Sequence, residues 1–593
     1  MPGDPIKLIG GDKALSPEVE LQLRVRYHLV QSDEDGNAIL DENGDPVQTS
    51  LVDRYLYYMN GLLHGNLGNS YQRKLPVTEI FAQKYPYTVK LAACAIVLEA
   101  IMGIGAGIIS AVKRYSFWDI LVTLTTSILV AVPAFWLGML LQLFFGVILK
   151  DATGGAISMP ISGAGGSSSQ YQDWMHYVLP TITLASVSTA YAARIMRSQL
   201  LDVMNQDYIR TAKAKGLSNR AIIVKHALKN ALIPVVTYIG VDFGGMLSGA
   251  ILTETVFNWP GIGYEVYRAI SMRDWPIVMG GVTLIVVVVM VINLLVDISY
   301  AFLDPRIRLG GPSDKAKEVR LMQETDSQSQ EQATATKVAS APAKSRTLWG
   351  DAFKRLRKNK LAVIGVCWII IVVVVALTAD LWAKPWLGSP TASDSTTMAE
   401  TSLLAPCAEH PFGTDALGRD ILVRVIYGAR VSLSVGIMAT AISTLIGLVM
   451  GALAGFYGGI WDTIIMRCAD IFLAFPYVLF VVAMIAVIGR GLQNVFIAIG
   501  ILGWPSIARV FRSAILTVKE NDYVDAARAM GASDARIVVR HIFPNSVASI
   551  VVYATMNIGG AILTESALSF LGMGVIPPTP SWGSMIQDVS SIF

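Results

Sequence analysis

Ala193-Arg194-Ile195-Met196-Arg197-Ser198, followed by Asp207-Tyr208, returns in this chain as Ala508-Arg509-Val510-Phe511-Arg512-Ser513, followed by Asp522-Tyr523. The match runs on without a gap through Ala212/Ala527, Gly216/Gly531, Ile222/Ile537, His226/His541 and Asn230/Asn545, every pair 315 residues apart. A repeat of this kind, set between long apolar runs, means two homologous membrane halves that each carry one polar loop with the same task. Further matches occur at other offsets, as unequal loop lengths require. Trp118-Asp119 and Pro133 answer to Trp461-Asp462 and Pro476, the hexapeptide Gly-Ala-Ile-Leu-Thr-Glu ends at both Glu254 and Glu565, and Gly261 and Gly263 answer to Gly572 and Gly574. The repeat is therefore a whole fold. Small residues four apart, Gly103 and Gly107 in one half and Gly447, Gly451 and Gly455 in the other, predict close helix approach.

The composition agrees with lipid as solvent: of 593 residues 53% are hydrophobic and 15% charged, far too apolar for a soluble domain of this size. Ten stretches, residues 87–112, 120–149, 178–200, 231–257, 282–302, 361–381, 431–456, 463–488, 495–516 and 546–570, come near or above the helical span length, which is about 20 residues. The expected fold is all-α and polytopic, with two homologous transmembrane domains. A net charge of +3 does not suggest nucleic acid as a partner. Thirteen Lys and Arg lie from Arg306 to Lys360, which places that connection in the cytoplasm. Counting spans outward puts residues 201–230 and 517–545, the two repeated loops, on the same inner face, and both termini outside.

The expected domains are an extracytoplasmic segment 1–85, a first transmembrane domain 86–309, a linker 310–346, and a second transmembrane domain 347–593 with an outer loop 384–430. The linker is rich in Gln, Ser, Thr, Ala and Lys with no apolar period and reads as a flexible tether. After it, Trp349, Phe353 and Leu356 alternate with Lys354, Arg355, Arg357 and Lys358, either as a helix lying in the inner interface or as a basic flank. In the N-terminal segment two Asp/Asn-Gly turns, at Gly36 and Gly44, flank a short apolar run, so a small α/β element with one strand is expected. Calcium at residues 33–45 is a second reading, although the spacing departs from the twelve-residue EF-hand loop. No secretory signal precedes the first span. Four cysteines, three of them in expected spans, do not make a disulfide framework.

Each repeated loop reads as two short helices broken at Gly216 or Gly531, where a residue without Cβ turns the chain sharply. Ala212, Ala214, Ala526, Ala527 and Ala529 are small enough to admit another protein surface, with Arg210, Lys213, Lys215, Asp525 and Arg528 as polar partners. Asp522-Tyr523-Val524-Asp525-Ala526-Ala527-Arg528-Ala529-Met530-Gly531, with His541 and Asn545 beyond, resembles the "EAA" loop of ABC-importer permeases. His410-Pro-Phe-Gly413-Thr-Asp415, Gly418-Arg419-Asp420, residues 568–574 and Ser581-Trp582-Gly583 resemble the second permease of the dipeptide/oligopeptide family. Residues 2–5, 65–70 and the run from Glu254 to Gly261 resemble the first. The chain looks like both permeases fused through the tether.

The resemblance implies a cell-membrane permease that moves short peptides inward by alternating access, with Arg210, Thr211, Ala212, Gly216, Asp525, Ala526, Ala527 and Gly531 coupling it to its motor. It implies two ABC ATPase subunits or one fused ATPase, an extracytoplasmic substrate-binding protein and membrane lipid as partners, with ATP and Mg held by the ATPase. No Gly-x-x-x-x-Gly-Lys-Ser/Thr loop occurs in the chain, so the energy arrives from a partner and no enzyme activity is expected here. Two departures stand out. Arg210-Thr211-Ala212 replaces Glu-Ala-Ala in the first loop, and ten spans stand where the family has twelve, the missing two falling before Pro2 and after Phe593.

Nickel, glutathione or oligosaccharide are alternative cargoes of the same importer class. An ion-coupled secondary transporter is the rival class, and would use acids within the spans such as Glu99, Asp242, Asp297 and Asp470. A membrane scaffold without transport leaves the paired loops unexplained. Only Glu254 and Glu565 recur in both halves; they are candidates for the translocation path, or structural caps at the outer helix ends. His226 and His541 fit hydrogen-bonded structural roles better than metal ligation, and no metal site is expected.

Overall fold

Proline breaks the apolar runs at equivalent places in the two halves. Pro133 separates α4 (Phe117–Ala131) from α5 (Ala134–Leu143), and Pro476 separates α14 (Gly459–Ala474) from α15 (Tyr477–Ile488). Val132 and Phe475, each just ahead of the proline, are extended, the conformation a following pyrrolidine ring imposes. The second break bends the chain by 91°. The stretches 120–149 and 463–488 are thus bent or broken, where continuous spans were expected. The computed structural model describes residues 16–33, 35, 37–42, 44–166, 169–303, 354, 356–387 and 398–590. The tether 310–346, and Trp349 and Phe353 beyond it, lie outside the described residues.

In chain order the other helices are α1 (Pro17–Arg26), α2 (Leu51–Leu63), α3 (Val77–Val112), α6 (Met175–Met204), α7 (Asp207–Ala214), α8 (Asn219–Leu247), α9 (Ile251–Val256), α10 (Ile262–Ser271) and α11 (Trp275–Leu303) in the first half. The second half adds α12 (Lys360–Leu387), α13 (Ile421–Ala452), α16 (Leu492–Lys519), α17 (Asp522–Ala529), α18 (Asp534–Phe570) and α19 (Trp582–Ser590). Among the described residues eight helices are long and apolar enough to cross a membrane, or nine if the bent pair α14–α15 is one span. The expected span 178–200 falls on α6, which has the length at 30 residues but is diluted by Ser, Thr, His and Arg. The stretch 231–257 is interrupted: α8 ends at Leu247, Gly249 takes φ +100°, and α9 starts afresh.

Each half is built on one tight helix pair, α3 against α6 and α13 against α16, and glycine decides both. A Cβ on Gly103 would stand 2.7 Å from the Ala192 Cβ, and one on Gly447 2.7 Å from the Ile507 Cβ. One turn on, Gly107 faces Met196 and the Ala193 carbonyl, while Gly451 faces Phe511 and the Ala508 carbonyl. Positions 192, 193 and 196 are the repeat partners of 507, 508 and 511, so the same packing is made twice.

In the N-terminal segment side-chain bonds flank the two expected turns, of which Gly36 itself lies outside the described residues. The Asp33 carboxylate accepts the Asn37 N–H at 2.7 Å and Asp41 accepts the Asp45 N–H at 2.8 Å. The expected strand is reduced to isolated antiparallel bridges, Val30 to Gln48, Ser32 to Ala38 and Leu40 to Pro46. Among the described residues no group of three or more His, Cys, Asp or Glu is placed to hold a metal.

Candidate functional site: the paired elbows and the seams that hold them

The polar loops form two near-copies of one elbow. Asp207 opens α7 and Asp522 opens α17, each a negative charge where the exposed N–H groups favour one. The arm ends when Gly216 and Gly531 take φ +77° and +79°, the left-handed state that closes a helix C-terminus cheaply only with glycine. The Leu217 N–H reaches back to the Ala212 carbonyl at 3.4 Å, and the Ala532 N–H to the Ala527 carbonyl at 3.1 Å. Ser218 then caps the second arm by accepting the Ala221 N–H at 3.3 Å, and Ser533 stands at the same place in the other copy. Both arms enter their spans through a wider π turn, Ile222–Ala227 in one and Val538–Ile542 in the other, each carrying the repeated histidine.

One face of each elbow is folded inward. Ile209, Ala212 and Ile222 pack with Met196 and Leu200, and the repeat partners Val524, Ala527 and Ile537 pack with Phe511 and Ile515. Ala212 and Ala527 therefore seat the elbow on its own half; they do not present a small surface to a partner, as the sequence suggested. Arg210, Thr211, Gly216, Asp525, Ala526 and Gly531 are exposed, together with Tyr208, Leu217, Tyr523 and Met530, the last 81% accessible. The two exposed faces differ in charge. The first offers Arg210, Lys213 and Lys215, with Arg210 3.3 Å from Asp207; the second offers Asp522, Asp525 and Arg528, with Arg528 3.2 Å from Asp525.

Sequence reasoning missed what holds each elbow in place. Arg197, on α6 two turns before the elbow, grips Asp119 with two parallel bonds of 2.8 and 3.0 Å. Asp119 also accepts the Ser110 hydroxyl and the Tyr115 N–H. In the second half Arg512 grips Asp462 at 2.5 and 2.6 Å. Such forked charge-assisted pairs fix orientation as well as distance. Both partners recur in the repeat, Asp119 with Asp462 and Arg197 with Arg512, so a double recurrence of opposite charges was the available signal.

At the outer ends the recurring acids are enclosed. Glu254 is fully buried; one oxygen accepts the Thr88 hydroxyl at 2.8 Å and the other the Tyr264 N–H at 2.8 Å. Glu565, equally buried, accepts from Ser432 at 2.9 Å and Ser569 at 2.7 Å. A Cβ on Gly261 or Gly263 would press on the Glu254 carboxylate, which accounts for those glycines. The structure places both acids in the seams between helices and not on an open path.

The second half's outer loop is tied down similarly. Asp415 accepts Arg419 and Arg424, Arg424 bonds Asp588 at 2.9 Å, and His410 meets Asp420 at 2.8 Å. Burial pushes the Asp415 carboxyl up, but hydrogen bonds from the Arg419 backbone and guanidinium and from the Leu417 N–H outweigh it and leave Asp415 below the usual carboxylate range.

The two halves meet at this same outer end. The Phe135 and Phe570 rings stack at 5.0 Å, and the Tyr267 hydroxyl donates to the Leu571 carbonyl at 2.7 Å. One apolar cluster there joins residues of both halves, including Val266, Phe135, Val482 and Leu568, whereas each elbow packs in a cluster confined to its own half. The halves are thus joined by apolar contact at this end, while each elbow packs on its own half alone.

Comparison with known proteins places this geometry. Residues 103–309 and 447–593, together more than half of the chain, match the family of binding-protein-dependent transport system inner membrane components, and residues 347–406 match the N-terminal transmembrane domain of oligopeptide transport permease C. The dipeptide transport system permease protein DppB of Escherichia coli K12 is 37% identical over 325 residues, 52% of this chain and 91% of that protein. The dipeptide transport system permease protein DppC of Alkalihalophilus pseudofirmus is 43% identical over 240 residues, 40% of this chain and 77% of that protein. The glutathione transport system permease protein GsiD of Escherichia coli O6:K15:H31 is 41% identical over 249 residues, 42% of this chain and 80% of that protein. The chain belongs to the binding-protein-dependent transport system inner membrane components, as a multi-pass membrane permease with two copies of the family domain in one polypeptide.

Proposed function

We propose that this member of the binding-protein-dependent inner membrane components forms both membrane halves of an ATP-driven importer of short peptides. The single observation that carries the mechanism is the pair of elbows, alike in backbone and inward packing, each clamped by an Arg–Asp fork to its own half. Two ATPase domains, or one fused ATPase, grip the exposed faces around Arg210, Thr211 and Gly216 and around Asp525, Ala526 and Gly531. Closing on ATP draws the elbows together, and each half turns with its elbow because the fork and the buried Ile209 or Val524 leave no slack between them. The outer seal opens as the inner ends close, and an extracytoplasmic binding protein delivers its cargo. ATP and Mg belong to the motor subunits.

Peptide cargo is supported by the names of the dipeptide permease relatives. Glutathione, the cargo in one relative's name, is itself a short peptide and enters the test as a competitor. The unlike charge of the elbows fits two non-identical ATPase grooves. The test is ATP-dependent uptake of a labelled dipeptide by proteoliposomes that hold this chain with its ATPase and binding protein. Uptake is expected to be competed by di- and tripeptides and to leave nickel and oligosaccharides behind. Uptake driven by an ion gradient without ATP would overturn the proposal.

A further inference from the structure

One pair of charged groups is used neither by the elbows nor by the seams. Glu99 lies on α3, 13 residues from that helix's inner end at Val112, or about 20 Å at the helical rise. It is fully buried, and neither carboxylate oxygen accepts a hydrogen bond from a donor among the described residues. Asp242 of α8 faces it within hydrogen-bonding reach, and Asp242 Oδ2 is likewise buried without a donor. Tyr238, Ser188 and Tyr191 complete the surround, with the two tyrosine rings 6.4 Å apart. Among the described residues no Lys or Arg acts on Glu99.

Two carboxyl groups facing each other between apolar helices repel when both are ionised, and each loses hydration, so the pair shares a proton or takes a positive charge between its members. The second half serves as an internal control. Gly103 and Gly447 make the same contact in the two halves, and four residues ahead of them stand Glu99 and Ser443. Ser443 is satisfied by donating to the Gly500 carbonyl at 2.8 Å. A hydroxyl meets the packing demand at this place, so the carboxylate of Glu99 exceeds what the fold requires.

We propose that Glu99 and Asp242 form a cation site, about halfway through the first half, that takes a primary ammonium group of the cargo as it crosses. Every peptide with a free N-terminal residue other than proline carries such a group, so the source of the ammonium rests on the peptide proposal, while the site itself does not. Asp242 and Tyr191 are partly accessible and Glu99 is not, which makes Asp242 the entry side and Glu99 the floor. The faces of Tyr191 and Tyr238 add attraction for a cation. The first half thus differs from the second in function as well as in loop length.

The test uses the full chain with its ATPase in nanodiscs, titrated with methylammonium chloride while the infrared carboxyl bands are followed. A saturable difference signal is expected, lost in Glu99→Ser, which copies the second half, and in Asp242→Asn. A signal retained in both variants overturns the site. A wild-type signal that answers to pH but not to methylammonium assigns a proton as sole occupant and overturns it too. In uptake assays with loaded binding protein, Glu99→Ser is expected to lower maximal uptake about tenfold while stimulated ATP hydrolysis stays within about twofold; undiminished uptake overturns the proposal. Methylammonium binding without any peptide uptake by the wild type would sink the peptide assignment and leave the cation site standing.

Discussion

Replacing Asp119 by Ala removes the acceptor of four donors at once: the Ser110 hydroxyl, the Tyr115 N–H and two N–H groups of Arg197. The Ser110 hydroxyl, fully buried, loses its acceptor and keeps only the Arg197 Nε–H at 3.0 Å, whereas Arg197, 31% exposed, recovers part of its hydration. The expected cost is therefore near the low end for breaking a buried pair, about 3 kcal/mol, or roughly 150-fold in the docking of the inner end of α6. Asp462→Ala in the second half leaves only Arg512, and both of those partners are a quarter to a third exposed, so about 1–2 kcal/mol is expected there. The assay is the ratio of peptide uptake to ATP hydrolysis in proteoliposomes, with thermal unfolding measured alongside. Asp119→Ala should lower that ratio more than Asp462→Ala, because an undocked elbow moves without its half. Exchanging the charges, Asp119→Arg with Arg197→Asp, should restore part of the loss. Recovery stays incomplete because position 119 lies in the first turn of α4, where a cation meets the positive helix end at a cost of about 0.3–1 kcal/mol. An unchanged uptake-to-hydrolysis ratio in Asp119→Ala, in protein that has lost thermal stability, would show that the fork stabilises the fold and transmits nothing.

Glu254→Ala strands the Thr88 hydroxyl and the Tyr264 N–H inside the outer seam; a loss of about 2–4 kcal/mol should appear as a lower unfolding temperature, with Glu254→Gln milder. Gly216 has φ +77° and open space where a Cβ would go, so Gly216→Val costs backbone strain alone, about 1–2 kcal/mol. Titration with the ATPase should show weaker binding for Gly216→Val and near-normal binding for Gly216→Asn. Gly451→Leu drives a Cβ to 2.8 Å from the Ala508 carbonyl, a backbone atom that has little room to yield, and should cut the folded yield seen by size-exclusion chromatography, with a penalty of about 1–3 kcal/mol or more. Tyr267→Phe deletes the hydrogen bond to the Leu571 carbonyl that bridges the halves; a bias of about 1 kcal/mol toward the outward-open state should appear as longer spin-label distances across the outer end.

Much of this protein was readable from period and recurrence. The gapless run from Ala193 to Asn230 and from Ala508 to Asn545 shows two halves, and Gly216 and Gly531 turn the chain where a sharp reversal with φ > 0 was expected. The small residues at 103, 107, 447 and 451 do make the close helix contacts, since backbone approach depends on the absence of a Cβ at those places. The direction each side chain faces was harder to read. Ala212 and Ala527 look like a smooth external patch in the sequence and are buried in the fold, because a two-armed elbow has an inner face that only three-dimensional packing assigns. Glu254 and Glu565 read as helix-end caps or as path residues, and the sequence could not separate the two for the same reason: an acid near a span end gives no sign of whether hydroxyls and N–H groups from distant segments will enclose it.

The hexapeptide Gly-Ala-Ile-Leu-Thr-Glu marks the boundary between the two kinds of information. Its presence before both Glu254 and Glu565 is a sequence fact, and by itself it establishes homologous halves and two equivalent acids. Yet in the first half Gly249 takes φ +100° and the helix restarts at Ile251, whereas in the second the same six residues lie within the unbroken helix α18. Local propensity is identical in the two copies, so the difference arises from what packs on them. Gly249 is pressed against the backbone of Gly263, where a Cβ would come within 2.9 Å, while Gly560 has only the Asn557 side chain at 3.9 Å. Pattern and composition determined that there are two membrane halves with matching levers; the tertiary contacts, through the space they leave around each backbone, decided where those halves bend and which of their charges are enclosed.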